Sequence, residues 1–220
     1  MRTRLIVWDF DGTLVDSGPQ IAAGLDHTVR LLGLGPEVRE AWLKSVGLPV
    51  RAAIERTFGP LGLAYDDVYP AYRSFDWPGS EHLIRPFPGI PELLAELHEA
   101  GVSMAIASSK RGEPLRRQAA LFGWQAYFAP IVTPDEVGDA TKPHPESLRQ
   151  ALHAHGLVPD QAVMVGDTPF DLEMAQRAEV PGVGVTHGCY GRADLEAWGP
   201  IGCADDTAGL RALLWPRVRE

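Results

Sequence analysis

Short apolar segments alternate with longer amphipathic segments along most of the chain, and this alternation restricts the fold more than any other feature. In the longer segments, such as PELLAELHEAG, apolar residues recur at steps of three and four, which is typical of helices that bury one face. Strands separated by helices of this length predict an α/β fold, with right-handed βαβ units and a doubly wound parallel sheet. The predicted strands are residues 5–8, 102–107, 128–132, 162–165 and 182–185.

The stretch from residue 18 to residue 82 departs from this pattern, because it contains helical patterns and no convincing strand. The helical patterns are IAAGLDHTVRLLG, EVREAWLKSVG and VRAAIERTFG. The proline-rich RPFPGIP that follows predicts a rigid return to the α/β part. With 220 residues the chain has room for a core and a small insert. We therefore predict an α/β core of residues 1–16 and 84–220, and a helical cap domain of residues 17–83.

Charge and cysteine content restrict the partners and the cellular setting. The net charge of −9 argues against a nucleic-acid-binding surface, which is usually basic. It leaves open a small anionic substrate, because a metal ion or a few local cations reverse the sign inside a cleft. Two cysteines without paired spacing are typical of a reducing compartment, and no apolar run is long enough for a signal peptide or a membrane span. We expect a cytoplasmic protein with neither nucleic-acid nor membrane partners.

The first predicted strand ends on two aspartates in the stretch VWDFDGTLVDS. If the strand continued, Asp9 and Asp11 would point to the same side, about 6.6 Å apart. Two like charges at that separation repel by roughly 2.5 kcal/mol at an effective dielectric constant of about 20. We therefore expect a positive charge between them, or a proton on one of them.

Polar residues also follow the other predicted strands, and open parallel sheets bind ligands beyond the carboxyl ends of their strands. Ser108, Ser109 and Lys110 follow the second strand, and Lys142 comes after the third strand, across a loop. Asp167 follows the fourth strand, within GDTPFD. These groups and the two aspartates are predicted to meet at one edge of the sheet.

Several of these residues also have a purely structural interpretation. Ser109 could simply cap the helix that follows, and Lys142 could be a solvated loop lysine. The stretch TPFD resembles a capping box with Thr168 at the N-cap and Asp171 at the third helical position, so Asp171 could be structural while orienting a functional neighbour. Gly12 is expected to let the chain turn sharply beside a bound anion.

Together, these motifs resemble those of the haloacid dehalogenase superfamily. DFDGT is similar to its first motif, Ser108 after an apolar strand to its second, Lys142 in KPHP to its third, and GDTPFD to its fourth. All four occur in the family order. The resemblance covers the whole chain, including a helical cap inserted after the first strand, and it implies a Rossmann-like core.

The resemblance implies the roles of these residues. Asp9 would be the nucleophile that forms a phosphoaspartyl intermediate, and Asp11 would be the acid and base. Mg²⁺ would be held by Asp9, by Asp11 through its backbone carbonyl, and by Asp167. Lys142 would be catalytic and would bind the phosphoryl group, and Asp171 would support the site from behind. The expected substrate-binding residues are Gly12, Thr13, Ser108, Ser109 and Lys142.

Within the superfamily, DGTLVDS, the small cap and GDTPFDLEMAQRAEV look most like the phosphoglycolate phosphatase-like group. This resemblance implies a phosphatase for small phosphorylated metabolites, acting as a monomer or a homodimer. Dehalogenases and phosphonate hydrolases lack the second aspartate, which is present here as Asp11. Phosphoglucomutase-like relatives carry a cap histidine where this chain has Ile21, although His27 lies nearby. We interpret the isolated histidines His27, His144 and His187 as surface or packing residues.

Other functions remain open at this point. The same group includes pyrophosphatases and hydrolases of sugar phosphates and nucleotides. We suspect that the loop KSVGLPVR, residues 44–51, contributes to selectivity, although Lys44 and Arg51 are more simply interpreted as solvated cations. A receiver-like phosphorylation switch also uses an aspartate, Mg²⁺, a hydroxyl and a lysine, but the helical insert and the DxD spacing oppose it. A catalytically weak family member that acts as a binding protein is a third possibility.

Overall fold

The computed structural model describes residues 2–219, which form eight strands. The strands are β1 (Leu5–Trp8), β2 (Val15–Asp16), β3 (Arg85–Pro86), β4 (Ser103–Ala107), β5 (Phe128–Val132), β6 (Ala162–Gly166), β7 (Gly182–Val185) and β8 (Gly202–Ala204). Six of them form one sheet in the order β5-β4-β1-β6-β7-β8, and every neighbouring pair is parallel. The predicted α/β fold with a doubly wound parallel sheet is confirmed.

Eleven α-helices connect these strands in the described part of the chain. They are α1 (Gly18–Leu31), α2 (Val38–Leu43), α3 (Val50–Phe58), α4 (Tyr65–Arg73), α5 (Ile90–Glu99), α6 (Gly112–Leu121), α7 (Pro134–Val137), α8 (Glu146–His155), α9 (Pro169–Arg177), α10 (Arg192–Glu196) and α11 (Thr207–Arg219). None of the helices among residues 2–219 has the length and apolar character needed to cross a membrane.

The sequence of β1, a central strand of the sheet, is an unbroken apolar run because the strand is buried on both faces. Successive side chains of a strand point to opposite faces, so Ile6 and Trp8 join one hydrophobic cluster while Leu5 and Val7 join another. Helices cover both faces, and all four side chains of β1 are fully buried. This burial fixes the register of β1 against β4 and β6 and so fixes where its carboxyl end lies.

The segment between β2 and β3 contains helices joined by turns, has no strand and has a hydrophobic cluster of its own. The cluster includes Trp42, Ile54 and Phe58 from α2 and α3. β2 and β3 pair antiparallel, so the chain leaves the α/β part and returns to it through one short ribbon. The predicted helical insert after the first strand is therefore present. Its division from the core at residues 16/17 and 83/84 stays a prediction.

The sheet reverses its winding next to β1. The chain passes from β1 outward through β4 and β5, then crosses back to β6 on the other side of β1 and continues to β7 and β8. In open α/β sheets this switch point leaves a crevice at the carboxyl ends of the two central strands. Asp9 and Asp167 follow those two strands, β1 and β6, directly.

Candidate active site

The centre of the candidate site is a buried lysine held between two carboxylates. The Lys142 ammonium lies 2.6 Å from Asp9 Oδ1 and 2.6 Å from Asp171 Oδ1. All three residues are buried, Lys142 with 4% of its surface exposed. The interpretation of Lys142 as a solvated loop lysine is therefore wrong. Hydrogen bonds and ion pairs between ionised groups are stronger than those between neutral groups, and removing one buried partner leaves the other charge uncompensated.

Three hydrogen bonds between Asp171 and Thr168 hold the Asp171 carboxylate next to Lys142. Asp171 Oδ2 accepts hydrogen bonds from the Thr168 backbone N–H at 3.1 Å and from the Thr168 hydroxyl at 2.7 Å. The Thr168 hydroxyl in turn accepts one from the Asp171 backbone N–H at 3.3 Å, so the predicted capping box at the start of α9 is present. One oxygen of Asp171 therefore caps the start of α9, and the other oxygen pairs with Lys142.

Asp167 is enclosed by backbone and by short side chains. Its Oδ1 accepts a hydrogen bond from the Thr13 hydroxyl at 3.0 Å, and its Oδ2 accepts one from the Cys189 backbone N–H at 3.0 Å. Gly12 and Gly188 approach so closely that a Cβ at either position would overlap the Asp167 carboxylate. Thr13 was predicted from the family motif as a substrate-binding residue, and its hydroxyl here orients Asp167. The site needs two glycines and a small polar residue around this carboxylate.

Replacing Gly12 by alanine should both strain the backbone and displace Asp167. Gly12 has a φ of +82°, which alone costs roughly 1–2 kcal/mol for a residue with a Cβ. We expect Gly12→Ala to lower the free energy of unfolding by more than that amount. Gly101→Ala is the matched control, because Gly101 also has a positive φ but open space around a new Cβ. Equal losses in chemical denaturation would show that the close approach to Asp167 has no energetic weight.

The buried part of the site carries an excess of negative charge. One oxygen each from Asp9, Asp167 and Asp171 lies within 4.8 Å of the others, with the single ammonium of Lys142 beside them. Burial raises the pKa of Asp9 to about 7, against the opposing charge of Lys142. Burial and the charge of Asp9 also raise the pKa of Asp167. One ammonium cannot balance three carboxylates, and an all-oxygen cluster with excess negative charge fits a hard divalent cation.

The Asp11 carboxylate binds a second lysine and lies outside the buried acidic cluster. Lys110 Nζ is 2.8 Å from Asp11 Oδ1 and 3.1 Å from Oδ2, and the two side chains are only 15% and 19% exposed. The positive charge expected near the two aspartates is thus present twice, as Lys142 beside Asp9 and as Lys110 beside Asp11. Lys110 was predicted to lie at a strand end, but no role was predicted for it. The sequence feature that indicated a role was the position of Lys110 in SSK, directly after β4.

The two serines after β4 have different contacts. Ser108 is buried, and its hydroxyl accepts a hydrogen bond from the Lys110 backbone N–H at 3.3 Å. The Ser109 hydroxyl donates to the Gly47 carbonyl of the helical insert at 2.7 Å. Helix α6 begins only at Gly112, so the interpretation of Ser109 as a simple helix cap is wrong.

Residues 44–51, a loop that continues into the first two residues of α3, contact this edge of the core through their backbone. Besides the bond from Ser109 to Gly47, the Tyr190 hydroxyl donates to the Lys44 carbonyl at 2.6 Å. The charged groups of the loop pair within the insert, Lys44 with Glu40 at 2.8 Å and Arg51 with Glu55 at 3.5 Å. The insert is therefore seated on the core beside the site.

His187, interpreted from the sequence as a surface or packing residue, supports the turn after β1. Its Nε2–H donates to the Thr13 carbonyl at 3.1 Å, and its ring lies 4.0 Å from the ring of Phe87. Burial lowers the pKa of His187, which favours the neutral ring. His187 thereby fixes the turn that carries Gly12 and Thr13. A histidine after the fifth predicted strand was the only sequence signal for it.

Fold and site together define a class. A doubly wound parallel sheet with aspartates and a lysine gathered at its switch point is the arrangement of a Rossmann-like enzyme core that binds its ligand at this edge. The family model described as haloacid dehalogenase-like hydrolase matches residues 6–185. The chain belongs to that family.

The relatives narrow the class further. The chain is 31% identical to a phosphoglycolate phosphatase of Agrobacterium fabrum over 97% of its length and 93% of that protein. It is 28% identical to a pyrophosphatase PpaX of Bacillus cereus, over 97% of each chain. A solved haloacid dehalogenase-like hydrolase from Streptococcus pneumoniae superposes with a TM-score of 0.82 at 26% identity, over 97% of this chain and 98% of that one. The prediction of a phosphoglycolate phosphatase-like hydrolase is confirmed at this level.

Proposed function

We propose that the protein is a Mg²⁺-dependent phosphatase that hydrolyses small phosphate monoesters through a phosphoaspartyl intermediate. The observation that supports this most directly is the position of Asp9. Its carboxylate is buried at the carboxyl end of β1, held at 2.6 Å by Lys142, at the switch point of the sheet. A carboxylate held at this position can act as a nucleophile toward a phosphorus atom bound at the same edge of the sheet.

In the first half-reaction an oxygen of Asp9 forms a bond to phosphorus as the bond from phosphorus to the ester oxygen breaks. The departing oxygen takes a proton from Asp11, which lies two residues beyond the nucleophile. In the second half-reaction Asp11 takes a proton from water, and the resulting hydroxide attacks the phosphoaspartate. Phosphate leaves and the Asp9 carboxylate is restored. Lys142 and Ser108 bind phosphoryl oxygens through both steps.

The residues that would hold Mg²⁺ are the carboxylates of Asp9 and Asp167 and the backbone carbonyl of Asp11. When bound, the ion supplies positive charge to the phosphoryl oxygens and to the crowded carboxylates. Asp171 is less available, because both of its oxygens already have partners. Thr13 and the Cys189 backbone N–H hold Asp167 in place from behind.

The substrate is proposed to be a small phosphorylated metabolite of the phosphoglycolate type. The 31% identical phosphoglycolate phosphatase, which aligns over almost the whole chain, supports this choice. Pyrophosphate is the second candidate, supported by the relatives named pyrophosphatase PpaX. Sugar phosphates and nucleotides are further members of the panel to be tested. Whether the enzyme acts as a monomer or a homodimer stays a prediction.

Removing divalent cations should abolish turnover. A chelator leaves three carboxylates facing one ammonium, so we expect no detectable hydrolysis of p-nitrophenyl phosphate in chelator and recovery on adding Mg²⁺. Zn²⁺ should restore much less, because an all-oxygen site suits a hard cation. Full activity in thoroughly metal-free buffer would overturn the proposed Mg²⁺ dependence. Many turnovers per protein molecule would also separate an enzyme from a receiver-like switch, which would stop after one.

A further inference from the structure

The Asp11 carboxylate, which is proposed to act on the substrate, is also engaged in an ion pair with Lys110. Lys110 Nζ contacts both Asp11 oxygens, at 2.8 and 3.1 Å, and both side chains are largely shielded from water. Asp11 is also the proposed proton donor to the ester oxygen. While Lys110 holds both oxygens of Asp11, the Asp11 carboxyl group is not free to reach the ester oxygen of the substrate. The pair must therefore loosen or shift when substrate binds.

Loosening the pair leaves a partly buried ammonium without its anion. Lys110 is fixed at the end of β4, where its backbone N–H donates to Ser108, and its ammonium lies 5.6 Å from the centre of the Phe10 ring. An isolated charge in such a place is costly, so a replacement anion is favoured. The next cation along the chain does not compete for this task, because Arg111 is exposed and pairs with Asp135 at 3.2 Å.

We propose that, when substrate binds, Lys110 releases Asp11 and binds a second anionic group of the substrate in its place. This inference rests on the proposed phosphatase function and adds the residue that recognises the second anion: a carboxylate or a further phosphate close to the scissile bond. The second anion must be near, because Lys110 touches the residue that protonates the ester oxygen and lies two positions after the phosphoryl-binding Ser108. An uncharged aliphatic alcohol as leaving group leaves Lys110 bound to Asp11 in the first half-reaction, so protonation of the ester oxygen is slower. Lys110 is thus a specificity-determining residue.

The test compares substrates that carry a second anionic group with substrates that lack one. Phosphoglycolate and its carbamoyl analogue, carbamoylmethyl phosphate, form the carboxylate pair, and pyrophosphate and methyl phosphate form the phosphate pair. Steady-state kcat and KM are measured with Mg²⁺ for the unaltered enzyme and for Lys110→Met, Lys110→Arg and Arg111→Met. Arg111→Met is the matched control, since it removes a neighbouring positive charge that does not contact Asp11.

We expect the unaltered enzyme to prefer the anionic member of at least one pair. Lys110→Met should lower kcat/KM for that member about 10- to 100-fold more than for its uncharged partner, the range for one hydrogen bond to a charged group. Lys110→Arg should restore part of this discrimination, and Arg111→Met should leave it unchanged. A selective loss with phosphoglycolate alone identifies a carboxylate as the second anion, and one with pyrophosphate alone identifies a phosphate.

Equal losses on both members of each pair would overturn the proposal, because Lys110 would then act through Asp11 alone. No loss on any substrate would also overturn it. If Lys110→Met does not fold, a preference of the unaltered enzyme for both uncharged analogues contradicts the proposal without any variant. Failure of the phosphatase function itself would look different, since the unaltered enzyme would then hydrolyse neither these four substrates nor p-nitrophenyl phosphate.

Discussion

Replacing Asp9 by asparagine should reduce hydrolysis of every phosphate ester to the background level, a loss of about 10⁶-fold or more, as for other enzymes that lose their nucleophile. The asparagine amide has nearly the same shape but cannot form the covalent intermediate. The fold should persist, because Lys142 still pairs with Asp171 and one of three crowded negative charges is gone. Initial rates and a denaturation curve measure the two effects separately.

An isosteric change at an exposed acid provides the control for Asp9→Asn. Asp160→Asn makes the same chemical substitution in a surface turn, and we expect it to leave both activity and stability within experimental error. Residual turnover by Asp9→Asn of more than about one part in 10³ would mean that another group attacks phosphorus. A large loss of stability in Asp9→Asn alone would mean that the carboxylate has a structural role as well.

Replacing Lys142 by methionine should produce the largest loss of stability. Methionine keeps most of the length of the side chain but leaves Asp9 and Asp171 buried without their cation. Removing one partner of a buried ion pair costs about 3–5 kcal/mol. Denaturant unfolding of metal-free protein at pH 8 should show a decrease of this order. Turnover should fall with it, because Lys142 is also proposed to bind the phosphoryl group.

The cost of Lys142→Met should depend on pH in a stated direction. The pKa of Asp9 is already raised to about 7 by burial, and loss of the Lys142 charge raises it further. A group whose pKa is higher in the folded state than in the unfolded state stabilises the fold at low pH and loses that contribution as the pH rises. The penalty should therefore be smaller at pH 5 than at pH 8, since a proton can take the place of the ammonium.

Lys44→Met is the matched control for that measurement. Lys44 also binds a carboxylate at 2.8 Å, but both groups are exposed, and such pairs contribute at most about 1 kcal/mol. A penalty for Lys142→Met no larger than that for Lys44→Met, or a penalty that grows as the pH falls, would contradict the electrostatic account of the site.

Much of the sheet was predictable because its strands are buried on both faces. An unbroken apolar run such as LIVW is what such a strand requires, and all five predicted strands are present. β8 was missed because Gly202–Ala204 is only three residues long and has no β-branched side chain. α4 was not among the helical patterns singled out, since it carries Pro70 in its interior. The β2–β3 ribbon was missed because each strand has only two residues.

The place of the site was predictable for a topological reason, whereas its pairings were not. Parallel strands end at the same edge, so a polar residue after each of several strands indicates one site. Which lysine meets which acid depends on loop paths and side-chain rotamers that sequence spacing does not encode. Lys142 lies 133 residues from Asp9 and Lys110 lies 99 residues from Asp11 along the chain. The contact of Ser109 with the insert depends likewise on how the two parts of the chain pack.

The most direct test of the central claim, covalent catalysis by Asp9 with Asp11 as acid and base, is to trap the intermediate. Asp11→Asn keeps the nucleophile but loses proton transfer, which slows catalysis by about 10²- to 10⁴-fold. An aryl phosphate with a good leaving group still phosphorylates this variant, while hydrolysis of the phosphoaspartate, which needs a base, becomes slow. Intact-protein mass spectrometry after a rapid quench should then show one added phosphoryl group on Asp11→Asn and none on Asp9→Asn. An adduct on Asp9→Asn but not on Asp11→Asn would mean that the two roles are exchanged, and no adduct on either would favour direct attack by water over a phosphoenzyme.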